Sequence, residues 1–268
     1  MPSLEPNATA ADSRFGADVP RYWVNNNPVI TCFYNALSTV IPEGERFFIA
    51  SVRAVLDDIN DPVLEKQVRS FIGQESHHRV GHNALNQMIE RQGYPQQASE
   101  NVIKRLQQWA ERFFSPRQQL AATLALEHFS ALLTDQFLRQ PALHEQMHGA
   151  VRDFLLQHSI EEIEHKAVAY DVYQQLYGSY TVRIWQMLLI TLLFIPNVAI
   201  IQCHYLWHDR QLFNLKAWCG AVGYFWLRPG WFRCIIPGWL RYFSPRFHPW
   251  QHDNRDLLQL WQDKLKQQ

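Results

Sequence analysis

The chain has 268 residues, 47% of them hydrophobic and 13% aromatic, with 25 Lys plus Arg balanced by 25 Asp plus Glu. That length allows one large domain or two small ones. Zero net charge and the lack of a basic stripe argue against nucleic acid as a partner. The four cysteines, Cys32, Cys203, Cys219 and Cys234, form no CxxC pair and no zinc-like spacing, which fits a reduced, cytoplasmic compartment.

Residues 1–24 are expected to be a flexible tail, polar at the start and without the basic start and apolar core of a signal peptide. Asn25-Asn26-Asn27-Pro28 is a loop signal, and a helical pattern then runs from about Val29 to Leu56. Pro42 is expected to kink or restart that helix, because proline has no N–H for the preceding turn. Asp61-Pro62 supplies an N-cap and a first-turn proline for a second helix. This helix ends near Arg91 at Gln92-Gly93-Tyr94-Pro95. Ser99–Phe114 reads as a short amphipathic helix with Val102, Leu106, Trp109 and Phe113 on one side. Ser115-Pro116-Arg117-Gln118 is a capping box opening a helix to about Arg139. A last long helix lies between Pro141 and Tyr177.

Four long helices with a longer connection between the second and third predict an all-α, ferritin-like four-helix bundle over residues 25–178. Residues 179–268 form an apolar, Trp/Arg-rich C-terminal helical extension packed on that bundle. Within it, residues 184–201 are almost continuously apolar and touch the threshold for a membrane span. Tryptophan and arginine interleave over residues 212–250, a pattern typical of a membrane–water interface. Two readings stay open for this segment: a membrane-contacting element, and a buried helix beneath a loop-rich lid.

Chemistry enters with Glu-x-x-His. On a helix these two residues lie on one face, so a carboxylate and an imidazole can reach one ion. Thirteen Glu and twelve His would give about half of one such pair by chance, yet three occur: Glu75/His78, Glu145/His148 and Glu162/His165. A hairpin cornering near Asn60 sets Glu45 fifteen residues before the corner and Glu75 fifteen after, so the two are level. Glu43 misses by two residues, about 3 Å of rise. Glu127 is the single acidic residue between Leu120 and Leu133, and a lone carboxylate facing a core needs a metal or a partner. A slow connection over residues 141–149 makes Glu162 level with Glu127 and drops Glu145 into the turn. The expected ligand set is therefore Glu45, Glu75, His78, Glu127, Glu162 and His165. His82 and His158 lie one turn away and are expected to hydrogen-bond behind these ligands. His77, His128, His144 and His148 are expected to be surface or structural, and Glu161 and Glu164 to sit towards solvent or behind the ligands.

Four stretches carry a resemblance: residues 42–48 (PEGERFF), residues 71–82 (FIGQE-x-x-H-x-x-x-H), residues 125–129 (ALEHF) and residues 158–166 (H-x-x-EEIEHK). Together they resemble the bacterial family of predicted metal-dependent hydrolases over roughly residues 25–250. That resemblance implies a dinuclear metal site on the same six residues. One departure is Gln157, where the family usually has Trp; it is expected to alter packing beside His158 more than the site. Carboxylates and imidazoles suit two ions, iron first and manganese or zinc next. The chemistry expected is an oxygen-using di-iron oxidase or oxygenase acting on a hydrophobic or lipid-like substrate. A hydrolase using a metal-bridged hydroxide is the alternative, and a non-enzymatic iron-binding bundle the third. The catalytic group is expected to be a metal-bound oxygen species rather than a side chain. The chain is expected in the cytoplasm, peripheral or monotopic on the inner membrane, and a homodimer is allowed.

Overall fold

The structure, a computed structural model, describes residues 15–266. Among these residues every regular element is helical, apart from one isolated bridge between Val24 and Met147. The first helix, α1 (Pro28–Arg53), is capped by the Asn27 side chain and runs through Pro42 without restarting. The proline leaves the carbonyl of Ser38, four residues earlier, without its helical donor. Asn86 on α2 takes that place, its Nδ2 donating to Ser38 O at 3.0 Å. A cross-helix side chain thus repairs the break that proline is expected to make.

Helix α2 (Pro62–Arg91) starts on the Asp61 cap and ends at Gly93, whose φ of +88° is the left-handed turn glycine favours. It is followed by α3 (Gln96–Phe113) and then by α4 (Pro116–Arg139), opened by the Ser115/Gln118 capping box. The last long helix is split into α5 (Gly149–His165) and α6 (Val168–Leu176). The break falls at Lys166, which is drawn away by the C-terminal segment. Its Nζ donates to His252 O (2.8 Å) and Asn254 Oδ1 (2.6 Å) and lies 4.0 Å from the centre of the Trp250 ring.

Two further points differ from the sequence reading. The expected tail is ordered from residue 15 onward: Phe15, Val19, Trp23 and Val24 are buried in the core, while residues 1–14 lie outside the described residues. The Val102, Leu106, Trp109 and Phe113 stripe of α3 meets no core. All four side chains are exposed, at 41–59%.

The C-terminal part comprises α7 (Tyr180–His208), α8 (Leu215–Val222), a π-helical turn (Gly223–Leu227), α9 (Trp231–Arg241) and α10 (Arg255–Lys266). Helix α7 packs across α1 and α4. Its inner face carries Met187, Ile190, Val198, Ile201 and Tyr205 at helical spacing. Gln202 and Tyr205 tie that face to α1, through Val29 O (2.9 Å) and Thr39 Oγ1 (2.8 Å). The outer face remains open: Trp185, Leu192, Ile195 and Ile200 are more than half exposed. By length and composition α7 could cross a membrane, and 28% of its most apolar window is buried.

Asp135 on α4 fastens the far end of the chain. It accepts from Asn254 Nδ2 (3.0 Å) and Arg139 Nε (3.0 Å), with His252 Nε2 at 3.2 Å. Burial raises its pKa, but these partners outweigh burial and hold it at about 2 against an ordinary 3.8. A depressed carboxylate stabilises the fold above its unfolded value, and that contribution is lost as pH falls through the folded one. Asp135→Ala is expected to cost about 2 kcal/mol at pH 7, and much less near pH 2. Urea unfolding at both pH values checks this.

Candidate metal centre

Four helices deliver the six residues. Glu45 comes from α1, Glu75 and His78 from α2, Glu127 from α4, and Glu162 and His165 from α5; each is at most 3% exposed. On α2 and α5 the i, i+3 spacing turns each carboxylate and its imidazole to one side. Glu162 lies at the middle of the cluster, with its Oε1 3.4 Å from His78 Nδ1 and 3.8 Å from His165 Nε2. His165 further approaches Glu75 Oε1 (3.2 Å) and Glu127 Oε2 (3.3 Å), and His78 Nδ1 lies 3.8 Å from Glu45 Oε1. The structure therefore brings all six together.

These groups fit a metal better than they fit one another. Both oxygens of Glu45, Glu75 and Glu127, Glu162 Oε2, His78 Nδ1 and both His165 nitrogens are buried without a hydrogen-bond partner. Buried polar atoms are ordinarily satisfied, and so many bare acceptors in one place ask for a cation. Donor atoms of Glu75, His78, Glu162 and His165 lie within 4.8 Å of one another, as do those of Glu45, His82 and His158. The interior thus holds a His/Glu cluster able to bind metal, with room for two ions.

Electrostatics in the cluster follow from burial and like charge. Burial drives Glu45 well above the usual carboxylate range, and burial with the Glu127 and Glu162 carboxylates does the same to Glu75. Burial lifts Glu127 to about 7, against the pull of His165. Glu162 moves the other way, since the surrounding imidazoles of His165, His78 and His158 overcome its burial. Burial lowers His78 and His165, yet their carboxylate neighbours win and raise both, His78 to about 10.

Around the cluster, Glu161 accepts from His78 Nε2 at 2.8 Å and so aims His78 Nδ1 inward. Gln157 donates to the other oxygen of Glu161. Gln157 thus reaches an imidazole of the site through Glu161. Glu43 is buried and pairs instead with Arg46 (2.8 Å). Glu145 is exposed in the turn before α5, and His148 lies 3.4 Å from Asp18, so the third Glu-x-x-His is not part of the cluster. A Ser38–His82–Asn86 network was not foreseen. Its one sequence signal is Ser38 standing four residues before Pro42, where a carbonyl must find a new donor.

A family model described as "Predicted metal-dependent hydrolase" matches residues 9–253. The chain belongs to this family. No curated protein and no solved structure matches it. For a predicted metal-dependent hydrolase the buried cluster is the one place among the described residues where two groups of potential ligands adjoin.

A cavity of about 250 Å³ opens against this centre. Its walls are apolar, with Phe48, Phe129, Leu133, Phe137, Ile190 and Phe194. Its polar end is formed by Ser38, Glu45, His82, His158 and Glu162. Outward it reaches Ile41 and Gln107, between α1 and α3, and Leu193 and Asn197 on α7.

Proposed function

We propose that the chain is a dinuclear-metal enzyme of ferritin-like construction that oxidises a hydrophobic or lipid-like substrate with dioxygen. Glu45, Glu75, His78, Glu127, Glu162 and His165 would hold two ions, iron first and manganese or zinc next. The observation that carries this reading is the apolar cavity ending on a carboxylate-rich cluster. A set of four carboxylates with imidazoles suits iron or manganese better than structural zinc, which prefers four ligands and often thiolates. When bound, such a pair supplies Lewis acidity and, as iron, the electrons that dioxygen chemistry needs.

The chain's own residues contribute positioning and exclusion. Glu161 and Gln157 fix the His78 ring. Phe48, Phe129 and Phe137 keep water from the walls and would orient an aliphatic chain towards Glu45 and Glu162. The uncovered outer face of α7 and the exposed stripe of α3 belong to two of the helices that the cavity reaches. This supports a site at the inner-membrane surface that takes its substrate from lipid, with the chain peripheral or monotopic. The family description favours a second reading, hydrolysis by a metal-bridged hydroxide.

The test is to load metal-free protein with Fe(II) anaerobically, then admit air with long-chain fatty acids, alcohols or amides present. Oxygen uptake that depends on the aliphatic compound supports oxidation. Anaerobic cleavage of long-chain esters without oxygen uptake would move the assignment to hydrolysis. In either case Leu133→Trp, which fills the cavity, is expected to lower turnover at least ~10-fold, the scale on which a misplaced substrate slows reaction, with metal content unchanged.

A further inference from the structure

His82 and His158, expected to hydrogen-bond behind the metal ligands, each leave one ring nitrogen bare: His82 bonds away from the ligands to Ser38, and His158 faces Glu162. The amide of Asn86 is fixed by its Nδ2 donating to Ser38 O at 3.0 Å, which turns Asn86 Oδ1 to the Ser38 hydroxyl at 2.8 Å. Ser38 spends its single proton on that oxygen. Its Oγ can then only accept from His82 Nδ1, 3.0 Å away. The proton of His82 is on Nδ1 and a lone pair is on Nε2, in an arrangement assigned from the network. That Nε2 is buried and has no hydrogen-bond partner, and His82 as a whole is 1% exposed.

His158, on α5, likewise keeps one ring nitrogen bare, though its other nitrogen faces the cluster. Its Nε2 lies 3.5 Å from Glu162 Oε1, so a proton there faces a carboxylate, and its Nδ1 is buried without a partner. Both Glu45 oxygens are equally bare. For His82, a ring nitrogen donating outward while the other stays free is how a metal-bound histidine is held, and for His158 a carboxylate takes the same supporting place. Donor atoms of Glu45, His82 and His158 all lie within 4.8 Å of one another. Two donors at ~2.1 Å from one ion stand at most about 4.2 Å apart, so a small closure would suffice. The cavity touches these three residues and Glu162 and does not touch Glu75, His78, Glu127 or His165.

We propose that Glu45, His82 and His158 hold one of the two metal ions as a two-histidine, one-carboxylate triad, and that this is the ion facing the cavity. The other ion belongs to Glu75, His78, Glu162 and His165, with Glu127 beside His165 completing that side. A triad of this composition leaves coordination positions open and is the set that non-haem Fe(II) uses. His82 and His158 thereby become ligands. The inference rests on the metal-dependent reading above.

Anaerobic titration of metal-free full-length protein with Co(II), followed by its visible absorption and by elemental analysis, tests it. Wild type is expected to bind two ions per chain, and His82→Ala and His158→Ala one each. Ser38→Ala, which keeps the imidazole but removes its anchor, is expected to weaken the second ion by about 10–100-fold and leave the first unchanged. Circular dichroism melts identify any variant that fails to fold, and Ser38→Ala then decides alone. Two ions retained at saturation in both histidine variants, or an unchanged second affinity in Ser38→Ala, overturns the triad. A wild type that binds no ion overturns the metal-dependent reading itself.

Discussion

Replacing Glu75 by leucine is expected to raise the melting temperature of the metal-free protein and to reduce the further rise that metal gives the wild type. Glu75 is 0% exposed and both its oxygens lack hydrogen-bond partners. Glu127, Glu162 and Glu45 add like charge around it. Without a cation the carboxyl carries a desolvation penalty among like charges that the nearby His165 (3.2 Å) only partly offsets, and replacing buried charged groups by apolar ones is often neutral or stabilising by about 1–4 kcal/mol. At ~2–4 °C per kcal/mol for a chain approaching this size, that amounts to several degrees. The wild type recovers the penalty when metal binds, by about 4 kcal/mol at a thousandfold excess over Kd. Scanning calorimetry of both proteins, in chelator and in Mn(II) or Fe(II), measures the two effects. A metal-free variant that melts lower than wild type and gains as much stability from metal as wild type does would remove Glu75 from the site.

The second large effect is on protons. Glu45, Glu75, Glu127, His78 and His165 all hold protons more tightly in the metal-free fold than their ordinary values allow, Glu127 to about 7 and His78 to about 10. A group raised by folding stabilises fully below its unfolded value, and its contribution disappears as pH rises through its folded value. Stability of the metal-free protein is therefore expected to decline from about pH 5 upward, as the window opens at the unfolded carboxylate value and extends through the folded ones. Metal demands deprotonated carboxylates and neutral imidazoles, so the loaded protein should behave oppositely and gain stability over the same range. At pH 6 Glu127 and His78 alone carry two protons that binding must displace. Affinity for the pair should then rise at least ~100-fold per pH unit, tenfold for each proton released. Calorimetric titration in two buffers of different ionisation enthalpy counts the protons. Binding with no proton release at pH 6 would contradict the cluster's electrostatics.

Both effects come from residues already visible in the sequence, and the reason is periodicity. Glu-x-x-His on a helix fixes which two side chains share a face, whatever the helix packs against. Glu127 stood out because a lone carboxylate in an apolar run has no solvent to face. Asp61-Pro62, Ser115-Pro116 and Gly93 marked helix ends through local cap chemistry, and the structure has these ends where the caps predict them. Pro42 misled because its consequence is settled by a partner 44 residues away: Asn86 donates to the carbonyl that the proline frees. The break after His165 was invisible for the same reason, as Lys166 answers to His252 and Asn254.

By itself the sequence determined the all-helical class, the helix ends set by caps, and the six residues facing inward, because each depends on spacing and polarity within about one turn. Tertiary structure alone decided what those residues meet. It brought Glu45 and Glu75 to one cluster, gave His78 its proton acceptor in Glu161, and left the α3 stripe and half of α7 uncovered. It also set the tautomer of His82 through Ser38 and Asn86, residues on two different helices. The direction of those hydrogen bonds is a property of the whole network, and that network spans two helices.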